Sequence, residues 1–313
     1  MYILGAGLAG CIAASINSDA SILEASSKPL RTHKALLRFK TDIVSQVTGI
    51  PFKKVTALKA IWYDGKEVCP SPRFTAMYSS KVANNYSHRS IINIDAEERY
   101  IAPKNFHEML LEQFDNRIKY NSSVEFMDNV LIDIKGTTNS LYRKCQPIIS
   151  TIPISIAADV TGFGTIDTST NFKSIYVNTF DVKNCDMYTT VYFPDIDTDI
   201  YRASITGNKL IVESLNLITI HEFDMVFNAL GLFPDDCLID AVNYRQEFGK
   251  ISKVDEHQRR KIIAGLTMKY NIYSLGRFAT WKNIQLDEVV HDCFKIKELM
   301  NKDHYNLLKE MEL

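Results

Sequence analysis

The chain opens Met1-Tyr2-Ile3-Leu4-Gly5-Ala6-Gly7-Leu8-Ala9-Gly10, a short apolar run that breaks into the pattern GxGxxG. Alone, that pattern is common. Its surroundings give it meaning: Tyr2 to Leu4 reads as a buried strand, Leu8 to Ile16 as a helix of small apolar residues, and Ala20 to Leu23 as a strand ending at Glu24. A strand, turn, helix and strand in this order feed a parallel sheet. Gly5 permits the tight turn, Gly7 lets the backbone approach a pyrophosphate, and Gly10 lets helix and strand pack closely. Leu8 and Ala9 open the helix, whose N-terminal N–H groups and positive dipole end suit phosphate. Glu24, 19 residues beyond Gly5 and followed by Ala25, stands where a carboxylate accepts hydrogen bonds from ribose hydroxyls. The unit reads as a dinucleotide-binding turn; the plainer reading is a glycine-rich loop with a surface acid.

Beyond this unit the pattern changes. Thr48 to Tyr100 carries Pro51, Pro70, Pro72, the pair Trp62-Tyr63 and an Asp64-Gly65 turn signal, and reads as short strands and loops inserted into the first body. Pro103 then precedes a stretch with Phe106, Met109, Leu110, Gln113 and Phe114 on one face, so a helix is expected over Lys104 to Asn116. Strands are expected at Val124 to Met127 and Val130 to Ile134, a turn at Gly136 to Asn139, and a buried run from Pro147 to Ile152. From Phe172 to Leu215 the Tyr, Phe, Val, Ile and Thr content, broken at Asp195 to Asp199 and at Gly207-Asn208, indicates antiparallel hairpins. Helical pieces are expected at Glu222 to Leu230 and Leu238 to Asn243. His257 to Lys261 is a basic stretch, Asn271 to Leu275 a strand ending at Gly276, and Asp287 to Met300 a long helix.

Ser274-Leu275-Gly276-Arg277-Phe278 and the helix after it repeat, at the far end, the strand–glycine–helix order of the N-terminus. In many flavoproteins such an element closes over the cofactor, its helix N-terminus stabilising negative charge on the reduced ring. It favours FAD over NAD, between which the first turn does not choose. The expected fold is α/β: a Rossmann-like FAD-binding domain from 1–50, 101–160 and 255–313, and a substrate domain from 51–100 and 161–254, a mainly antiparallel β-sheet plus helices.

Composition bears on what such a body binds. With 36 Lys and Arg against 37 Asp and Glu the net charge is −1, so no global field draws it to nucleic acid or membrane. No segment approaches the ~20 apolar residues of a membrane span, and Met1 to Leu4 offers no signal peptide. Cys11, Cys69, Cys145, Cys185, Cys237 and Cys293 are too scattered for a zinc arrangement and read as reduced thiols. The expectation is a soluble cytoplasmic protein without a metal.

Ile149-Ser150-Thr151-Ile152-Pro153, the hairpin Tyr192-Phe193-Pro194-Asp195 through Tyr201-Arg202, and the run Gly276 to Val290 follow the N-terminal turn in an order that resembles the UDP-galactopyranose mutase and amine-oxidase group of FAD enzymes. The resemblance implies an FAD-dependent oxidoreductase acting on an amine or amino-acid-bearing substrate. Two features depart from the group. Ala25 to His33 replaces the Gly-Gly pair that follows the ribose acid, and Asn283 and Ile284 stand where the mutases place a tyrosine pair for a nucleotide sugar. Thr32 to Phe39 and Thr48 to Val55 further resemble small phage flavoproteins of thymine hypermodification. That resemblance implies glycine joined to a thymine methyl group in phage DNA as substrate. The outcome is lyase-like: glyoxylate and an aminomethyl base, in the host cytoplasm. A mutase-like flavin isomerase and a non-catalytic flavin- or NAD-binding module are the alternatives.

The candidate catalytic residues are His33 and Arg202. His33 suits an acid or base over the flavin, or is a plain loop histidine. Arg202 lies in the hairpin that the resemblance turns toward the active site and is the candidate for a substrate anion. Arg38, inside an apolar run, binds the FAD pyrophosphate or a substrate carboxylate, or else is a partly buried structural arginine. Arg277, beside Gly276, is the candidate for cofactor contact, while Gln285 and Leu286 are expected to act through backbone N–H groups at the flavin pyrimidine. Lys28, Arg31, His33, Lys34, Arg38 and Lys40, and separately His257 to Lys261, form basic runs able to track a DNA backbone, though such runs are usually solvated faces. Oligomeric state is left open.

Overall fold

The computed structural model describes residues 1–27, 37–84, 86, 90–127, 130–133, 141–142, 146–168, 172–251 and 254–301. Its organising element is a five-stranded parallel sheet in the order Ile272–Ser274, Ile148–Ser150, Tyr2–Leu4, Ser21–Leu23 and Ile118–Lys119. The strands are short and apolar because both faces are covered. Ile3 and Ile149 pack toward the helices Leu8–Ile16, Phe106–Gln113 and Leu286–Met300. Leu4 and Ile148 pack on the other side, toward Ile154–Thr161 and Glu256–Tyr270. The N-terminal strand is central, so Gly5 emerges at its carboxyl end, where strand order reverses and open α/β sheets bind ligands.

The second layer is a nine-stranded mixed sheet. Its main path runs Cys237–Ile251, Phe172–Val182, Lys209–Ser214, Ile200–Gly207, Met187–Tyr192, Lys53–Tyr63, Glu97–Ile101 and Arg38–Phe39, with Lys66–Val68 paired onto Lys53–Tyr63. Met187–Tyr192 and Lys53–Tyr63 are parallel. The other pairings are antiparallel, as the hairpin signals between Phe172 and Leu215 require. One face is sealed by the helix Phe223–Leu230, with Phe180 edge-on to Phe223 and Phe227. The opposite face is more polar and looks toward the site. Val124–Met127, Val130–Asp133 and Leu141–Tyr142 form a small antiparallel sheet. No helix among the described residues is long and apolar enough to cross a membrane.

Several local expectations need correction. Leu238 to Asn243 is not helical but part of the 15-residue strand Cys237–Ile251. Its apolar residues are half exposed on an edge strand, and pairing with Phe172–Val182 overrides their local preference. The stretch 48–100 holds the 11-residue strand Lys53–Tyr63 and the helix Pro72–Ala83, rather than short strands and loops alone. Ser71 caps that helix, its Oγ accepting from Phe74 N–H at 3.3 Å with Pro72 in the first turn, a start signal readable in the sequence. His257 to Lys261 opens the helix Glu256–Tyr270, whose buried stripe Arg259, Ile262, Leu266 and Thr267 hides its periodicity by beginning with an arginine. The expected helix over Lys104 to Asn116 is shorter, Phe106–Gln113, followed by a 3-10 turn at Asp115–Arg117. The turn expected at Gly136 to Asn139 lies outside the described residues, as do Ile134 and Cys145.

Candidate functional site

The glycines of the N-terminal turn fall into two physical kinds. Gly5 has φ +96°, and a Cβ there would stand 2.8 Å from Thr151 Oγ1, which itself donates to Leu4 O at 2.7 Å. A Cβ on Gly10 would run into the carbonyl oxygen of Gly5. Gly7, the N-cap of Leu8–Ile16, has no side-chain cap and nothing within 4 Å of where its Cβ would lie. Gly5 and Gly10 are therefore needed by the protein itself, whereas Gly7 leaves an open helix N-terminus of the kind that accepts phosphate.

Glu24 faces this turn. Its Oε2 accepts from Ala6 N–H at 2.8 Å, and its Oε1 accepts from Ser26 N–H at 3.0 Å and Ser26 Oγ at 2.7 Å, while Ala25 is exposed beside it. The carbonyl of Ala6 accepts from Cys11 Sγ at 3.4 Å and lies 3.0 Å from Nε2 of buried His107. Accepting from Nε2 requires that nitrogen to carry the proton, and Nδ1 has no partner among the described residues. His107 was not singled out in the sequence, where it reads as one residue of an amphipathic helix.

At the far end Gly276 has φ +91°, and a Cβ there would meet Ala9 Cβ at 2.9 Å, so the second glycine turn lies against the start of the first helix. Arg277 Nη2 donates to Gly249 O at 3.1 Å, its guanidinium stands 5.4 Å from the Phe278 ring, and its Nε has no partner among the described residues. Burial pushes its pKa below the usual arginine value. Gln285 caps Leu286–Met300, and its N–H donates to Glu288 at 2.6 Å. That N–H is taken within the capping box, so it reaches a ring only if Glu288 releases it; Leu286, half-buried, is the first helical residue. Asp287, missed in the sequence, is buried and accepts from Thr41 Oγ1 at 2.7 Å, Thr41 N–H at 3.2 Å and Lys40 N–H at 3.3 Å. It fastens the segment after Arg38–Phe39 to the start of the closing helix.

A cavity of about 470 Å³ brings together Arg38, Arg202 and Gln285. Lys40, Lys59 and Arg99 also line it, against only Glu97 and Glu213. Arg202 and Glu213 face each other across adjacent strands and pair through Nε and Oε2, and Tyr201 OH donates to Glu213 Oε1 at 3.0 Å. Burial pushes the Glu213 carboxyl up, but Arg202 outweighs it and holds the carboxyl below the usual range. Glu97 is shared by Lys59, at 2.6 Å, and Arg99.

Arg38 differs from these. Its Nη1 donates to Thr190 Oγ1 at 2.7 Å, and its Nη2 donates to Thr189 O at 3.1 Å, to Ile205 O and to Thr206 Oγ1 at 2.8 Å, with Nε on Thr206 Oγ1 at 3.0 Å. No carboxylate partners it among the described residues. Burial, then the nearby Arg202, pushes its pKa down to about 10. The guanidinium thus reaches into the nine-stranded sheet, where the cavity and not the glycine turn is its neighbour.

His33, with Lys28, Arg31 and Lys34, lies outside the described residues. In the second basic run, Arg259 is buried, donates twice to Glu256 at 2.7 Å and donates to Thr280 O at 2.8 Å, and Arg260 also pairs with Glu256. Those two arginines serve the protein's own packing.

No protein-family model matches the sequence, nor does any curated protein sequence. The fold is similar to solved structures along nearly its whole length. A reduced UDP-galactopyranose mutase superposes with a TM-score of 0.68 at 14% identity, covering 97% of this chain and 96% of that one. A triple mutant of putrescine oxidase superposes at 0.55 with 8% identity, covering 96% and 98%. A flavoprotein/dehydrogenase from Cytophaga hutchinsonii superposes at 0.54 with 12% identity, covering 96% and 78%. At these identities the likeness is one of fold, and it agrees with the α/β architecture expected from the sequence.

Proposed function

We propose that the chain is an FAD-dependent oxidoreductase that oxidises a C–N bond in an amine bearing an anionic group. The observation that carries this reading is the cationic cavity at the start of the closing helix, where half-buried Arg38 has only neutral acceptors. A guanidinium partly withdrawn from water gains from a counter-anion, and a ligand carboxylate in the cavity supplies one.

The residues present fit FAD. Gly7 leaves backbone room at an uncapped helix N-terminus, Glu24 stands at the turn, Gly276 closes on Ala9, and Arg277 keeps a buried donor without an acceptor. The N–H groups of Leu8 and Ala9 would hold the pyrophosphate and Glu24 the ribose, releasing Ala6 N–H. When bound, FAD supplies a two-electron acceptor for the C–H bond beside the amine nitrogen. The chain's own part is positioning. Arg38 and Arg202 would place positive charge beside a carboxylate and so fix the direction of the amine next to it. The surrounding cations disfavour a protonated amine and so keep its nitrogen neutral, the form that oxidation needs.

The substrate proposed is glycine joined to a thymine methyl group in DNA, a choice that rests on the sequence resemblance. Oxidation of the glycine Cα–N bond followed by hydrolysis releases glyoxylate and leaves an aminomethyl base. Anaerobic addition of a glycyl-thymine oligonucleotide tests this: bleaching of the flavin bands with glyoxylate formed is the expected outcome. Bleaching by a free N-alkylglycine but not by the oligonucleotide would keep the oxidation and remove DNA. A flavin unchanged by any such amine, with the reduced protein converting a nucleotide sugar, would replace oxidation by isomerisation.

A further inference from the structure

We infer that the substrate site has a second compartment, beyond Arg38, built for an uncharged planar ring carrying a carbonyl acceptor. The inference rests on the proposed function only in assigning the anionic, reacting end of the substrate to the first cavity.

A second cavity of about 500 Å³ lies on the same face of the nine-stranded sheet. Residues two apart on a strand share a face. Thr190 and Tyr192 line the first cavity and Tyr188 the second; Ser204 lines the first and Thr206 the second; Glu213 lines the first and Lys209 the second. Ile211 borders both. The two cavities are therefore consecutive stretches of one floor. Arg38 spans their junction, bonded to Thr190 Oγ1 on one side and Thr206 Oγ1 on the other.

Their chemistry differs. In the second cavity each lysine already has an oxygen partner: Lys53 has Asp186 and Tyr188, Lys209 has Asp181 and Asp240, and Lys104 has Asn208 Oδ1 at 2.9 Å. Lys104, held by a neutral amide, shares the lining with the carboxylate of Glu108, so no excess of positive charge is left to call an anion in. Leu37, Pro51, Ala102, Pro103 and Ile211 supply rigid apolar walls, which suit the faces of a flat ring. Among the lining hydroxyls, Thr179 donates to Asp240 at 2.9 Å and Tyr188 to Asp186 at 2.8 Å. Thr206 Oγ1 accepts twice from Arg38 and has no acceptor for its own proton among the described residues. A hydroxyl with both acceptor positions used presents its proton to an acceptor, and a ring carbonyl supplies one.

The test compares equilibrium binding of sarcosine and of N-(uracil-5-ylmethyl)glycine to the FAD-loaded protein, followed by flavin reduction with each. Wild type should bind the ring compound at least about tenfold more tightly, the scale of one added hydrogen bond with apolar burial. Pro51→Trp, a rim substitution at an exposed position, should bring the ratio toward one. Thr206→Val should lower it several-fold, and Thr206→Ser, which keeps the hydroxyl, should restore it. Ring-dependent binding without flavin reduction would leave the compartment standing and remove the oxidation reading. Flavin reduction by both compounds with no ring preference, no binding of the ring compound, or a ratio unchanged in the variants would overturn the compartment.

Discussion

The parallel sheet and the nine-stranded sheet each carry one part of the proposed site, and they build those parts by different means. On the parallel side the site is made of backbone and of missing side chains: Gly5 and Gly10 are excluded from carrying a Cβ, and Ala6 N–H and C=O are held by Glu24, Cys11 and His107. On the other side it is made of charge: Arg38, the Arg202–Glu213 pair, and Glu97 between Lys59 and Arg99. The first kind depends on backbone packed too closely for a side chain. The second depends on pairing between strands, as Arg38 with Thr190 and Thr206 and Arg202 with Glu213 show. Backbone sites should therefore fail all at once when a Cβ is added, and charge sites by degrees when a partner is removed.

Gly10→Val sets that contrast most sharply. It should abolish FAD binding and lower stability by about 3 kcal/mol or more, because neither the Gly5 carbonyl nor the helix can move aside. Gly7→Ala, where space is open, should keep the melting temperature within a few degrees and weaken only FAD. A Gly10→Val protein with normal flavin content would break the comparison. Glu213→Ala should cost less, about 2 kcal/mol in a denaturant titration, since Arg202 loses its carboxylate but keeps 37% side-chain exposure. Adding Arg202→Leu should recover part of the loss; if it instead adds a second full loss, the pair is not the unit described.

How much of this was legible follows the same division. The order Tyr2–Leu4, Gly5 to Gly10, Leu8–Ile16 and Ser21–Leu23 was readable because each element is set by its own residues. Arg38, Arg202 and Gln285 were singled out, and one cavity gathers them, but the sequence held no sign that Arg38 turns toward Thr190 and Thr206. Glu213 was invisible for the same reason: it faces Arg202 only through the pairing of Ile200–Gly207 with Lys209–Ser214. Asp287 had a local signal, an acid in the first turn of a helix, yet its partners Lys40 and Thr41 lie at the other end of the chain.

Smaller effects refine the comparison. Glu24→Gln should weaken FAD about tenfold with little change in stability, since the amide still accepts from Ala6 N–H but ribose loses a charged acceptor. Equal FAD affinity in that variant would take Glu24 out of the cofactor site. Lys81, donating to the carbonyls of Phe193, Asp195 and Ile200, is pushed down to about 8 by burial. Between that value and its usual 10.5 the unfolded chain binds the extra proton, so this lysine makes the fold more stable as pH rises through that window. Relative to Lys81→Met, wild type should gain on the order of 1 kcal/mol between pH 8 and pH 10. A gap independent of pH would show that folding leaves the affinity of this lysine for its proton unchanged.

The decisive measurement is the cofactor released when the purified chain is denatured, before and after incubation with FAD or NAD. One FAD per chain, retained through gel filtration and lost in Gly10→Val, is the expected result. A chain that stays colourless after reconstitution, or that retains NAD and not FAD, would contradict the reading of the two glycine turns on which the proposed chemistry depends.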